Sequence, residues 1–210
     1  MSRNKKRLKG HKPTNTETPT QFNPLSFVTP TEFVELPSGG EGYADTHPLH
    51  GQETIEIRYM TAKDEDLLTS QTLLKKGIAI DRVLENIILD KNIKPTELLI
   101  GDKNAIIVAT RASGYGSEYE AVVGCPACET KNRLSFNLSA PTLKRSEVHE
   151  KLKVSKNPNG TYTVTLPLSK YQVEVRLMTG ADENYLAQHN KTVRKNKLPE
   201  NILTSQFKRL

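Results

Sequence analysis

The chain of 210 residues has no tryptophan, 6% aromatic residues and only 35% hydrophobic ones, with a mean hydropathy of −0.56. That is lean for a chain folded throughout, so part of the length is expected outside the core. The longest apolar runs, such as Ile78 to Ile80 and Ala105 to Thr110, are short. They fall far below the roughly 20 residues a membrane-spanning helix needs. The basic N-terminus is followed by no apolar stretch, which argues against a secretory signal. Two cysteines cannot make a disulfide-rich scaffold, and their CxxC spacing suits a reducing compartment. Catalytic signatures are missing too: no GxSxG, no P-loop, no GxGxxG after a strand and no HExxH. Ser38-Gly39-Gly40 and Gly114-Tyr115-Gly116 are too short to cradle a phosphate and read as a turn and a helix stop. No internal repeat is apparent.

What is present is charge, unevenly placed. The net charge is +6. Residues 1–12 carry Arg3, Lys5, Lys6, Arg7, Lys9 and Lys12 with no acid, and residues 191–210 carry six basic residues against Glu200. The chain between them is therefore net acidic. Residues 1–32 read as a basic, Pro/Thr-rich extended tail and residues 191–210 as a basic C-terminal tail. Arg3, Lys5, Lys6, Arg7 and Lys9 are candidate partner-binding residues. A nucleic-acid-binding module using basic tails and the zinc-knuckle-like turn at Cys125 and Cys128 is the alternative reading. Against it, no aromatic interleaves with these basic residues for base stacking, and no recognition helix rich in Arg and Asn is visible. Basic tails also dock on acidic protein surfaces.

Residues 33–190 read as an α+β body: a central helical block flanked by an N-terminal strand region and C-terminal β-hairpins. Phe33 to Leu36 resembles an edge strand closed by Pro37, and residues 38–42 form a loop. Ile55, Ile57 and Tyr59 alternate along a half-buried strand. The helical part runs over about 61–114. Thr61 and Asp64 suggest a capping box, with Asp64, Glu65 and Asp66 as cap and solvated face, and Gly77 stops that helix. Ile80, Val83, Leu84, Ile87 and Ile88 put a core face on a helix over 79–90. Asp102 is expected to cap a third helix ending before Gly114. The hairpin part spans about 117–178, with strands at 118–123 and 134–138, then 162–166 and 171–177. Thr179 to Asp182 caps a closing helix over about 180–190, and Ile202, Leu203 and Phe207 suit a short amphipathic helix.

Cys125-Pro126-Ala127-Cys128 falls in the turn between the first pair of these strands, which makes a zinc-knuckle-like turn. The thiolates of Cys125 and Cys128 are candidate ligands of a structural zinc. Such a site takes four ligands. His47 and His50, His149 or a second subunit could supply the rest, and reduced free thiols are the plain alternative. A thioredoxin-like role fits poorly, because that motif opens a helix and this one sits in a hairpin.

Several segments, in order, resemble a known family: Phe33-Val-Glu-Leu-Pro-Ser38, His47-Pro-Leu49 with Gly51, Ile57-Arg-Tyr-Met-Thr-Ala-Lys-Asp-Glu-Asp-Leu67, and Lys76-Gly77 with Ile80-Asp81. Leu98-Leu-Ile-Gly-Asp102, Gly114-Tyr-Gly116, Cys125-Pro-Ala-Cys128 and Leu177-Met-Thr-Gly-Ala-Asp-Glu183 follow. The series is similar to the baseplate hub and hub-assembly proteins of T-even-like contractile-tailed bacteriophages, over about residues 33–190. The resemblance implies a non-enzymatic role through protein–protein contacts, with other baseplate and hub proteins as partners. It also implies host cytoplasm during tail assembly, and either a chaperone's departure or retention in the virion.

Overall fold

The computed structural model describes residues 29–139, 154–197 and 201–210. Strands β1 (Thr31–Glu35) and β2 (Thr54–Arg58) form an antiparallel hairpin. Helices α1 (Ala62–Thr69), α2 (Gln71–Lys76), α3 (Ala79–Ile87) and α4 (Ile100–Tyr115) follow. Next come a second hairpin, β3 (Glu118–Gly124) and β4 (Lys131–Asn137), and a three-stranded sheet of β5 (Val154–Lys156), β6 (Thr161–Thr165) and β7 (Gln172–Arg176). Helices α5 (Gly180–Lys195) and α6 (Ile202–Phe207) close the chain. The fold is α+β, as the sequence indicates.

The core is assembled early in the chain. The inner face of β1–β2 gives Val34, Ile55 and Ile57, and the loop between the strands adds Leu36, Tyr43 and Leu49. The apolar stripe of α3 supplies Val83, Leu84 and Ile87, with Ile88 after it, and Ile106 of α4 packs on the same cluster. Every member lies between residues 34 and 106. Beyond that point, Leu186 and Val193 are the only large apolar side chains buried among the described residues. The low hydrophobic content is thus concentrated in one half of the body.

The structure overturns the reading that the chain has no repeat. Thr31-Glu-Phe-Val-Glu-Leu-Pro37 and Ile55-Glu-Ile-Arg-Tyr-Met-Thr-Ala-Lys-Asp-Glu65 reappear as Thr161-Tyr-Thr-Val-Thr-Leu-Pro167 and Val173-Glu-Val-Arg-Leu-Met-Thr-Gly-Ala-Asp-Glu183. The two hairpins share their register. Thr31 faces Arg58 and Val34 faces Ile55; Thr161 faces Arg176 and Val164 faces Val173. Each second strand leads into a helix closed by the same capping box, Thr61 with Asp64 and Thr179 with Asp182. In each copy a later segment returns to the outer edge of that strand. Leu89 N–H donates to Glu56 O at 3.4 Å, and Arg176 N–H donates to Leu210 O at 2.7 Å. The loops differ in length, 36–53 against 166–171, so the period is hidden from a scan along the chain.

The two copies meet through close backbone approach. Gly160, at φ 80°, would place a Cβ 2.8 Å from Ala44 N and 2.9 Å from Gly42 O. Pairing continues where Leu99 bridges Thr179 and where Gly180 N–H donates to Leu98 O at 2.9 Å.

Other expectations need adjustment. The helix from Thr61 is two helices, broken at Ser70, whose ψ of 110° is extended. Tyr59 does not share the buried face of Ile55 and Ile57, because β2 ends at Arg58 and Tyr59 turns outward. Ile80 is 47% exposed in the first turn of α3 rather than in the core. Gly114 lies inside α4, which runs on to Tyr115. The closing helix continues to Lys195, so much of the expected C-terminal tail is helical.

Candidate functional site

Two buried carboxylates organise the repeated unit. Asp64 Oδ1 and Oδ2 accept from Arg58 Nη2 and Nη1 at 2.9 and 2.7 Å, and Oδ2 also accepts from Thr61 N–H and Oγ1 at 2.9 and 2.8 Å. Asn86 of α3 adds a 3.3 Å bond to Oδ1. Asp182 has the same set: Arg176 at 2.8 and 2.6 Å, and Thr179 N–H and Oγ1 at 3.0 and 3.1 Å. Arg209 Nε lies 3.0 Å from Asp182 Oδ1, and its guanidinium sits 4.4 Å from the Tyr185 ring centroid. Burial alone would raise the Asp64 carboxyl, but Arg58 and Thr61 outweigh it and hold it well below the usual carboxylate range. Hydrogen bonds from Arg176, helped by Thr179, depress Asp182 likewise against the cost of burial. The sequence placed Asp64 as the acid of a capping box with Thr61, which the structure bears out; what it did not show is that the carboxylate is fully buried and clamped by Arg58. The missed signal is Arg-x-x-Thr-x-x-Asp occurring twice, each time after an alternating strand.

A third carboxylate ties the first loop to α4. Asp102 is not the helix cap expected of it; it lies in the first turn, fully buried, and Leu99 is the cap. Its oxygens accept from Ser38 N–H at 2.9 Å, Ser38 Oγ at 2.6 Å and Tyr43 Oη at 2.7 Å. Tyr43 Oη in turn accepts from Leu99 N–H at 3.1 Å. Burial, then the Asp102 charge, pushes the Tyr43 phenol far above its ordinary value. His47 stacks on Tyr43 at 4.5 Å between centroids and accepts from Leu49 N–H through Nδ1 at 3.1 Å. Burial lowers the His47 pKa, opposed by Glu97 at 3.9 Å. The Ser38, Tyr43 and His47 groups are thus committed to holding the loop. Tyr43 and His47 border a cleft of about 700 Å³ between that loop and the β5–β7 sheet, lined also by Glu97, Asn159 and Arg176.

Lys103 joins the two copies. It is almost fully buried on α4 and pairs with Asp81 of α3 at 2.8 Å and Glu183 of α5 at 3.1 Å. Burial would lower its pKa, but the two carboxylates outweigh that and raise it. Asn184 Nδ2 donates to Asp81 Oδ2 at 2.8 Å, closing the same junction.

Cys125 and Cys128 occupy the turn between β3 and β4, where the sequence placed them. Both are free thiols, and Cys128 is exposed. Cys125 N–H donates to Thr130 O at 2.9 Å, and Glu129 N–H donates to Cys125 O at 2.8 Å. The Thr130 hydroxyl and N–H, with the Cys125 thiol, lower the Cys128 pKa. Among the described residues no third His, Cys, Asp or Glu joins them in a metal-binding group, so the knuckle is a near cysteine pair; His47 and His50 belong to the first loop instead. Arg3, Lys5, Lys6, Arg7, Lys9 and His149 lie outside the described residues.

The β3–β4 hairpin leaves a cluster of apolar side chains uncovered. Register puts Tyr119 beside Phe136 and Ala121 beside Leu134 on one face, and Tyr119, Val123, Leu134 and Phe136 are all between 42% and 46% exposed. Arg111 lies near Tyr119 at the base. Leu203 and Phe207 of α6 are 70% and 72% exposed. No helix among the described residues is long and apolar enough to cross a membrane.

A sequence model of the family described as T4 bacteriophage base plate protein matches residues 29–172. No curated protein and no solved structure matches the chain. The matched span covers more than half of the sequence, and the chain belongs to that family.

Proposed function

We propose, from membership of the base plate family, that this protein is a non-enzymatic component or assembly factor of the baseplate hub of a contractile phage tail. The family match over residues 29–172 carries the reading. The structure supports it with a well-buried core in one half and large apolar side chains left bare on the β3–β4 hairpin and α6. Uncovered apolar faces of this kind mark protein contact sites. The buried polar groups near the cleft hold loops to helices rather than standing free for chemistry. In this reading the protein meets other baseplate and hub proteins in the host cytoplasm during assembly and works without a catalytic cofactor.

Of the C-terminal basic residues, Arg209 is engaged by Asp182 and Tyr185 and so is turned inward rather than offered to a nucleic acid. Tagged protein expressed in phage-infected cells, captured and analysed by mass spectrometry, tests the proposal. Recovery of hub proteins in amounts comparable to the bait is expected. Capture without any tail protein, together with normal baseplates from a phage lacking the gene, would falsify it.

A further inference from the structure

Among the described residues, two features of the β3–β4 hairpin stand out. The first is its tip. Cys125 and Cys128 are the only cysteines in the sequence, and they stand together in a tight turn with Glu129 in the left-handed region at φ 58°. A CxxC turn of this kind presents two thiolates to one ion, and a structural zinc takes four ligands in a closed tetrahedron. The second is its stem. Seven paired residues per strand, at about 3.3 Å each, make an arm on the order of 20 Å long. Among the described residues no other element packs extensively on it beyond Arg111 of α4 beside Tyr119 at its base, and a two-stranded hairpin alone is marginal in water.

We propose that the arm is a zinc hook: Cys125 and Cys128 of two copies of this chain together hold one zinc ion, joining the copies tip to tip. The count of ligands selects the occupant. One chain supplies half of a tetrathiolate shell, and a second copy related by a two-fold axis supplies the matching half. The arm's length keeps the two bodies apart while the tips meet. The strand residues of one face, Tyr119, Ala121, Val123, Asn132, Leu134 and Phe136, carry no charge. Glu118, Glu120, Lys131 and Arg133 lie on the opposite face. Coordination forms four Zn–S bonds, and the thiol protons go to solvent, so assembly weakens as pH falls. No oxidant or reductant takes part. This inference is independent of the baseplate reading.

Full-length protein, kept reduced and incubated with zinc alone, is the material for the test. Native mass spectrometry and elemental analysis should give a dimer with one zinc per two chains. Removing zinc with a chelator should return the monomer, and adding zinc back should restore the dimer. Replacing zinc with cobalt should produce the intense thiolate-to-metal absorption of a four-sulfur site. The Cys125→Ser/Cys128→Ser variant should lose the metal and the dimer while keeping the far-UV spectrum and melting transition of the zinc-free wild type. A zinc-free monomer, one zinc per monomeric chain, or a dimer that survives the chelator each overturns the proposal. The cobalt spectrum tests it on wild-type protein even if the double variant fails to fold.

Discussion

The two copies of the strand–capped-helix unit have the same local bonds and very different surroundings. In the first, Val34, Leu36, Ile55 and Ile57 are buried under α3 and α4. In the second, Val164, Val173 and Val175 are only half-buried, and Leu166, the counterpart of Leu36, is 37% exposed against 1%. The long loop 36–53 folds back and contributes Tyr43 and Leu49 to the core, whereas the short turn 166–171 leaves Leu168 and Tyr171 in solvent. The same Arg–Thr–Asp clamp therefore caps a helix rooted in a core in one case and a helix on a thin sheet in the other. Local hydrogen bonding can be copied along a chain without copying the hydrophobic layer that gives it stability.

Removing the clamps should separate the copies most clearly. Asp64→Ala leaves Arg58, only 20% exposed, without its partner, and should cost about 4 kcal/mol in chemical denaturation. Asp182→Ala leaves Arg176 and Arg209, each more than a third exposed, and should cost about 2 kcal/mol or less, because water takes over part of the lost bonding. Equal losses would mean that burial does not distinguish the copies.

Packing gives the next largest difference. Leu84→Ala on α3 removes a side chain 1% exposed and should cost about 3 kcal/mol. Leu203→Ala on α6, 70% exposed, should stay within about 0.5 kcal/mol. A large loss at Leu203, measured by the same unfolding curves on monomeric protein, would show that α6 is covered more than its exposure indicates.

Contact between the copies should be sensitive at Gly160. Alanine there is strained at φ 80° and drives its Cβ into the backbone of residues 42–44, at a cost of about 2 kcal/mol in thermal unfolding. Hydrogen exchange should rise along 42–47 and 157–161 in that variant and stay unchanged in α3.

Acid provides the mildest probe. Asp64 and Asp182 have folded pKa values below the ordinary carboxylate value of about 3.9. Depressed carboxylates stabilise the fold fully above the unfolded value, and that stabilisation is lost as pH falls below it toward the folded pKa. Stability should thus be level from pH 7 to about 5 on account of these groups and fall below about pH 4. Asp64→Asn should flatten that acid limb more than Asp182→Asn. An unaltered limb in both variants would sink the assignment.

Much of the fold was legible because its signals are short-range. The alternation of Ile55 and Ile57, the stripe Val83, Leu84, Ile87 and Ile88, and the two Thr/Asp capping boxes each lie within one or two turns of chain. The cysteine turn was legible for the same reason. Asp102 and Lys103 were not. Their partners, Ser38 and Tyr43 for one and Asp81 and Glu183 for the other, are brought in from distant segments, and no spacing within a helix announces them. The repeat was present in the letters but interrupted by loops of unequal length, and paired registers made it visible.

By itself the sequence determined the α+β class, most strand and helix positions and the family resemblance, because periodicity, caps and ordered motifs are local properties of the chain. Only the tertiary structure decided which of two near-identical clamps sits on a core, which carboxylates are buried, and that no other described element packs extensively on the cysteine arm. Burial depends on what other segments bring to a surface, and that is settled when the chain packs.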